Sequence, residues 1–279
     1  MIVDAHAHIF PSEIVSDRSR YFDGEPAFSF LYSHPKARIV DGEMMLRAMD
    51  EQGVDRCVCF GFPWMSGETC RRCNDAVLEA ALKSDGRLIS FATLPGANLD
   101  EALAEVGRCA ANGFAGIGEL AQYKEKNAQK RHDWMLSVCI ETEKHGLPVL
   151  LHVAEEVGHE YPGKGGLGPK EALSIGEKIE KTPVILAHWG GGLFFYELMP
   201  EIKKALSNVY YDTAASPYLY DPKILKVAVD ILGAEKILFG SDYPLIKPKR
   251  YVDQARQVEI AQGDFDKIFG GNILKLLGV

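Results

Sequence analysis

Two histidines stand one residue apart near the start of the chain, in Ile2-Val3-Asp4-Ala5-His6-Ala7-His8-Ile9. The stretch reads as a short strand. Side chains alternate faces along a strand, so His6 and His8 are expected to point the same way, together with Asp4. Two imidazoles side by side on one face are poor core residues and good ligands for a divalent metal. A bare His-x-His also occurs in polar turns, so the chemistry depends on further ligands in the same register.

Those ligands recur at the ends of later apolar runs. Gly116-Ile117-Gly118 ends in Glu119, Val149-Leu150-Leu151 in His152, and Val184-Ile185-Leu186-Ala187 in His188. Val209-Tyr210-Tyr211 ends in Asp212, and Ile237-Leu238-Phe239-Gly240-Ser241 in Asp242. Ending an apolar run in an ionisable group costs stability unless the group is solvated or paired. The remaining histidines (His34, His132, His145 and His159) fall in loops or helices.

A β-then-α rhythm must position these groups. Strand-like runs are expected at Ile2–His8, Asp55–Gly61, Arg87–Thr93, Phe114–Glu119, Pro148–Val153, Pro183–His188, Asn208–Asp212 and Lys236–Asp242. Helical stretches lie between them, at about Asp41–Gln52, Thr69–Ser84, Leu99–Ala111, Asn127–Lys144, Lys170–Lys181, Phe195–Ser207 and Pro222–Leu232, with Tyr251–Leu277 closing the chain. Gly53, Gly86, Gly113, Gly146 and Gly233 each stand just before a strand, where glycine closes a helix at little steric cost. Eight βα units over 279 residues match a (β/α)₈ TIM barrel, a fold of about 250 residues whose chemistry sits at the C-terminal ends of the strands. The open Rossmann alternative wants a glycine-rich turn after the first strand. His6-Ala7-His8-Ile9-Phe10-Pro11 is no such turn. Gly190-Gly191-Gly192 is only a weak phosphate-loop candidate, because it lacks the following Lys-Ser/Thr.

The expected organisation is one domain over residues 1–279, with a long loop insertion at about 10–40. That insertion carries Tyr21, Phe22, Phe28, Phe30, Tyr32 and His34, which suits a lid or pocket wall. A composition of 47% hydrophobic and 25% charged residues excludes disordered and fibrous classes. No apolar run approaches the roughly 18 residues of a membrane-spanning helix. The first strand starts at Ile2, leaving no room for a leader, so a cytoplasmic location is expected. A formal charge of −8 argues against nucleic acid as a partner. The six cysteines are expected to be mostly small buried hydrophobes. Cys70-x-x-Cys73 has no second pair to form a zinc knuckle and reads as two thiols on one helix face.

Together, Asp-Ala-His6-Ala-His8, the strand-end His152 and His188, Gly190-Gly191-Gly192, and Phe239-Gly240-Ser241-Asp242-Tyr243-Pro244 resemble the amidohydrolase superfamily. The similarity is to the amidohydrolase-related branch that includes aminocarboxymuconate-semialdehyde decarboxylase, and it spans nearly the whole chain. The resemblance implies a divalent metal, zinc first and manganese second, one or two ions per chain. His6, His8 and Asp242 would hold the first ion. His152 would complete that site or join His188 on a second one. Glu119 sits where many superfamily members carry a bridging group, and Gly118-Glu119-Leu120 also resembles the strand-end glutamate of TatD-like nucleases. Glu119 therefore tilts the expectation toward hydrolysis.

The expected reaction is cleavage of an amide, ester or lactone by water activated on the metal. Asp242 would orient that water and take its proton, and His188 would act as acid if it is not a ligand. A non-oxidative decarboxylase of the same family is the alternative, and a TatD-like nuclease a remoter one. Asp4 would support an imidazole or serve as a hydrogen bonder lower in the barrel. The pocket is expected to be aromatic, drawing on Phe62, Trp64, Tyr161, Trp189, Tyr218 and Tyr220, with few guanidinium clamps: Arg71 and Arg72 either reach it or face solvent from a helix. The partner is a small, partly apolar organic molecule, and the chain is a possible homo-oligomer.

Overall fold

The computed structural model describes residues 1–279 apart from Lys124. Its eight strands are β1 (Val3–His8), β2 (Arg56–Phe60), β3 (Leu88–Ala92), β4 (Gly116–Leu120), β5 (Val149–Leu151), β6 (Val184–Leu186), β7 (Val209–Asp212) and β8 (Ile237–Leu238). They lie side by side in chain order, every pair parallel. Parallel neighbours need crossover connections, and the helices between the strands provide them. Backbone hydrogen bonds tie the end of β8 to β1: Ala5 N to Phe239 O at 2.7 Å, Asp242 N to His6 O at 2.9 Å and His8 N to Tyr243 O at 2.7 Å. The sheet is thereby nearly closed into the expected (β/α)₈ barrel.

Two apolar layers follow from this geometry. Val3, Ala5, Val58, Phe60, Ile89, Phe91, Leu150, Ile185 and Leu238 fill the barrel interior. A second layer packs the helices onto the strands, and it includes Ala7 and Ile9. The inward face of β1 therefore changes partway along. The cause is a register shift between Asp4 and Ala7, the kind of extra-residue irregularity that re-aims every later side chain. Val3 and Ala5 face inward before it, while Asp4 sits against Met45, Met49 and Cys57 of the outer layer. The expectation that Asp4 shares a face with His6 and His8 fails for this reason. Asp4 instead accepts hydrogen bonds from Ser241 N at 2.9 Å, Ser241 Oγ at 2.5 Å and His6 N at 3.1 Å. It fastens β1 to the segment that carries Asp242. Burial pushes its carboxyl up to about 6.

Helix ends fall where glycine was expected, with Gly53, Gly86, Gly113 and Gly146 at φ 69°, 77°, 83° and 69°. One expected helix is interrupted. Phe195–Ser207 is broken, because Pro200 starts a new short helix, Pro200–Ala205, and cannot continue the preceding turn. The closing run divides into Pro248–Ala255, Gln262–Asp266 and Asn272–Leu277. No helix among the described residues is long and apolar enough to cross a membrane.

The 10–40 insertion is a pocket wall, folded into short helical pieces at Ser12–Ser16, Arg18–Tyr21 and Pro26–Tyr32. Phe10, Ile14, Phe28, Phe62, Trp64, Cys70 and Cys73 form its own small core. The buried Glu25 carboxylate anchors it by accepting from Met65 N and Ser66 N, both at 2.8 Å. Cys70 and Cys73 thus belong to packing, and all six cysteines are free and buried.

Candidate metal centre

The predicted rim residues converge. His6 Nε2 lies 3.8 Å from Glu119 Oε1 and 3.9 Å from Asp242 Oδ1. His8 Nε2 lies 3.3 Å from Asp242 Oδ1 and 3.9 Å from Glu119 Oε2. Glu119 Oε1 is 2.9 Å from His152 Nδ1 and 3.4 Å from His188 Nε2, and the two imidazoles are 3.2 Å apart. Asp242 is partly open to the adjoining cavity, and the other five are buried.

Most of the rings are fixed from behind. His6 Nδ1 bonds to Asp212 Oδ2 at 2.8 Å, His8 Nδ1 to Gly61 O at 2.9 Å and His188 Nδ1 to Ala214 O at 3.1 Å. An acceptor at Nδ1 fixes the proton there and turns Nε2 toward the centre as a free lone pair, which is how metal-binding histidines are prepared. Asp212 was visible as a strand-end carboxylate, but its part in orienting His6 was not. Its other oxygen accepts from His188 N at 3.0 Å and Ala214 N at 2.9 Å, so one fully buried side chain secures two rim residues.

The fit to a cation rests on one atom above all. His6 Nε2 is buried and has no hydrogen-bond partner among the described residues. Leaving such a group unpaired is costly, and a bound cation would satisfy it. Three overlapping sets each bring ligand atoms within 4.8 Å of one another: His6, His8 and Glu119; His6, His188 and Asp242; Glu119, His152 and His188. The electrostatics agree. Burial by itself lowers the His6 pKa, but Asp212 and Glu119 reverse this and push it up to about 10. Burial likewise opposes the charged form of His188, and Glu119 with Asp242 raises it to about 9. Burial raises the Glu119 carboxyl, yet His152 and His6 hold it well below the usual carboxylate range. Negative and positive groups are thus packed in a space that accepts positive charge in place of these protons.

The turn after β6 aims His188. His188, Trp189, Gly190, Gly191 and Gly192 have φ of 56°, 60°, 59°, 58° and 88°, a left-handed run. A Cβ on Gly191 would stand 2.5 Å from Ala154 O, so only glycine lets the two loops approach. The glycine run therefore serves as a tight structural turn. Asp242 also takes a left-handed backbone, φ 63°, uncommon for a residue with a side chain and frequent at functional sites.

A cavity of about 590 Å³ opens over the rim. Its wall includes Phe62, Tyr161 and Tyr218, as expected, and also Tyr32, Tyr123 and Arg38. Trp64 and Trp189 do not line it: both are fully buried, and Trp189 Nε1 donates to Ser216 Oγ. Tyr220 faces a neighbouring cavity of about 630 Å³. Arg72 pairs with Glu13 at 2.9 Å, and Arg71 lies beside Glu105 at 3.6 Å. The signal for Tyr123 was its place just beyond the strand-end Glu119.

The model of the amidohydrolase family matches residues 3–279. The chain belongs to the amidohydrolase family. The amidohydrolase is 21% identical to 2-amino-3-carboxymuconate-6-semialdehyde decarboxylase of Dictyostelium discoideum, over 99% of this chain and 91% of that protein. It is 23% identical to gamma-resorcylate decarboxylase of Polaromonas sp., over 86% of this chain and 89% of that protein. Its fold matches 5-carboxyvanillate decarboxylase from Sphingomonas paucimobilis with TM-score 0.79 at 16% identity, covering 100% of this amidohydrolase and 99% of that chain. A dihydroxybenzoic acid decarboxylase from Polaromonas sp., with bound manganese and 2-nitroresorcinol, matches with TM-score 0.70 at 21% identity, over 99% and 96% of the two chains. These relatives overturn the expectation of a hydrolase, since they are named as decarboxylases. Glu119, which carried that expectation, stands among all four rim imidazoles, bonded to His152 and close to His188, His6 and His8. A carboxylate in that position orients imidazoles whichever bond is broken. The ion in the Polaromonas structure is manganese.

Proposed function

We propose that this amidohydrolase is a metal-dependent non-oxidative decarboxylase of a small unsaturated or aromatic carboxylic acid. The observation that carries the reading is that its curated relatives, matched along 75–99% of the chain, bear decarboxylase names. The buried, imidazole-rich rim beneath an aromatic cavity supports it.

His6, His8 and Asp242, with Glu119 and His152 facing them, would hold the ion, manganese or zinc. When bound, the cation supplies positive charge that draws in a carboxylate substrate and steadies the electrons left behind as carbon dioxide departs. His188 is read as the acid. Its Nδ1 is tied to Ala214 O, so Nε2, beside Glu119, is the position that exchanges a proton. The bond from the substrate carbon to its carboxylate breaks, the electron pair stays on that carbon, and the proton from His188 Nε2 replaces the carboxylate. Glu119 stabilises the charged imidazole before transfer. Asp242 keeps its place both as ligand and as a group beside the reacting molecule.

The test is incubation with manganese or zinc in heavy water against 2,6-dihydroxybenzoate, 5-carboxyvanillate and 2-amino-3-carboxymuconate 6-semialdehyde. Carbon dioxide and a product bearing one deuterium at the vacated carbon are expected from at least one acid. Recovery of all three unchanged with either metal would argue against the reading.

A further inference from the structure

Tyr32 comes from the insertion and Tyr123 from the loop after β4, and both line the cavity over the rim. Phe62 stands between them. Its ring is 5.8 Å from Tyr32, edge to face, and 6.2 Å from Tyr123, stacked at 12°. Tyr32 is braced further by Phe28 at 4.9 Å and Phe10 at 5.5 Å, and Tyr123 by the edge of His152 at 5.0 Å. Both rings are thus held in place by packing. Neither hydroxyl has a hydrogen-bond partner among the described residues.

Burial, then the nearby charges of Asp242 and Glu119, raise both phenols above their ordinary value. They stay neutral and are poor proton sources, which leaves them as hydrogen-bond donors. A wholly apolar ligand would cover two O–H groups and pair neither, whereas a ligand oxygen would satisfy them. Sites built to hydrogen-bond a ligand discriminate strongly against analogues that lack the group.

We propose that Tyr32 and Tyr123 are specificity-determining donors that receive a second oxygen of the substrate, a hydroxyl or carbonyl on the unsaturated framework, separate from the carboxylate that leaves. The inference rests on the decarboxylase reading only in taking a carboxylate as the group common to all ligands. It assigns no proton transfer to either phenol.

The test is a binding measurement. Manganese-loaded protein is titrated by calorimetry with benzoate and with 2-, 3- and 4-hydroxybenzoate, for the natural chain, Tyr32→Phe, Tyr123→Phe and the double variant. At least one hydroxybenzoate is expected to bind about tenfold or more tightly than benzoate to the natural chain. That advantage should shrink to within about threefold in the double variant, with benzoate affinity and melting temperature held. An advantage that survives both substitutions, or no advantage in the natural chain, overturns the proposal. Carbon dioxide release is scored separately. A chain that binds as proposed but releases none sinks the decarboxylase reading alone, and one that releases it without hydroxyl discrimination sinks only the tyrosine assignment.

Discussion

Asp212 Oδ2 lies 2.8 Å from His6 Nδ1, and neither side chain is exposed to solvent. The pair fixes the ring of a candidate ligand whose Nε2 has no hydrogen-bond partner among the described residues. Substituting Asp212→Asn keeps the shape and removes the charge. Metal affinity should fall about 10- to 100-fold, the usual cost of losing a carboxylate behind a ligating imidazole. Titration of metal-free protein with manganese, followed by paramagnetic resonance, checks this. Unchanged affinity would show that His6 does not depend on Asp212.

Metal uptake should release protons. His6 is raised to about 10 and His188 to about 9, so without a cation both imidazoles are charged at neutral pH. A ligand must be deprotonated to bind, so affinity should weaken as pH falls and strengthen as it rises toward these values. Calorimetry at pH 7.5 in buffers of different ionisation heat should report about one proton or more released per ion bound. A buffer-independent heat would mean that His6 is already neutral or is not a ligand.

Much of this site was legible because barrel geometry turns sequence position into place. His152, His188 and Asp242 each follow an apolar run, and an apolar run that ends in an ionisable group marks the rim. What was illegible depended on events with no local signature. The register shift in β1 moved Asp4 to the outer layer, and strand alternation cannot foresee an extra residue. The left-handed turn from His188 to Gly192 is set by Ala154 and Tyr211, distant in sequence. Trp189 reads like a pocket aromatic from its position after His188, yet that same turn buries it. The choice between hydrolysis and decarboxylation was hidden for a chemical reason: both need the same imidazoles and carboxylates.

Glu25 joins the insertion to the barrel through two backbone amides. Glu25→Ala removes the acceptor and leaves Met65 N and Ser66 N without that partner, at a cost of about 1–3 kcal/mol. The wall carrying Tyr32 should loosen, so KM is expected to rise more than kcat falls. Steady-state kinetics beside a thermal melt measures both. A lowered melting temperature with KM unmoved would separate the anchor from the pocket.

Glu105, which none of the candidate ligand sets includes, tests stability. It is buried and accepts from Arg108 at 2.7 and 2.8 Å and from Asn74 at 2.8 Å. Burial would raise its pKa, and those hydrogen bonds more than offset that, holding it below the ordinary carboxylate value. A depressed carboxyl contributes stability that is present above its unfolded pKa, about 4.5, and is lost as pH falls through the folded value. Glu105→Gln should cost about 2–3 kcal/mol at pH 7, less at pH 4, with turnover per folded molecule unchanged. Urea melts at the two pH values decide it; an equal loss at both would remove the electrostatic explanation.

The most direct measurement follows metal content and carbon dioxide release on one sample, through chelation, dialysis and return of manganese, with the carboxylic acid identified by the screen above. Release should disappear as the ion is stripped and return in proportion as it is restored, and a His6→Ala/His8→Ala variant should do neither. Full release from protein shown to be free of metal would contradict a cation held by this rim as the source of the chemistry.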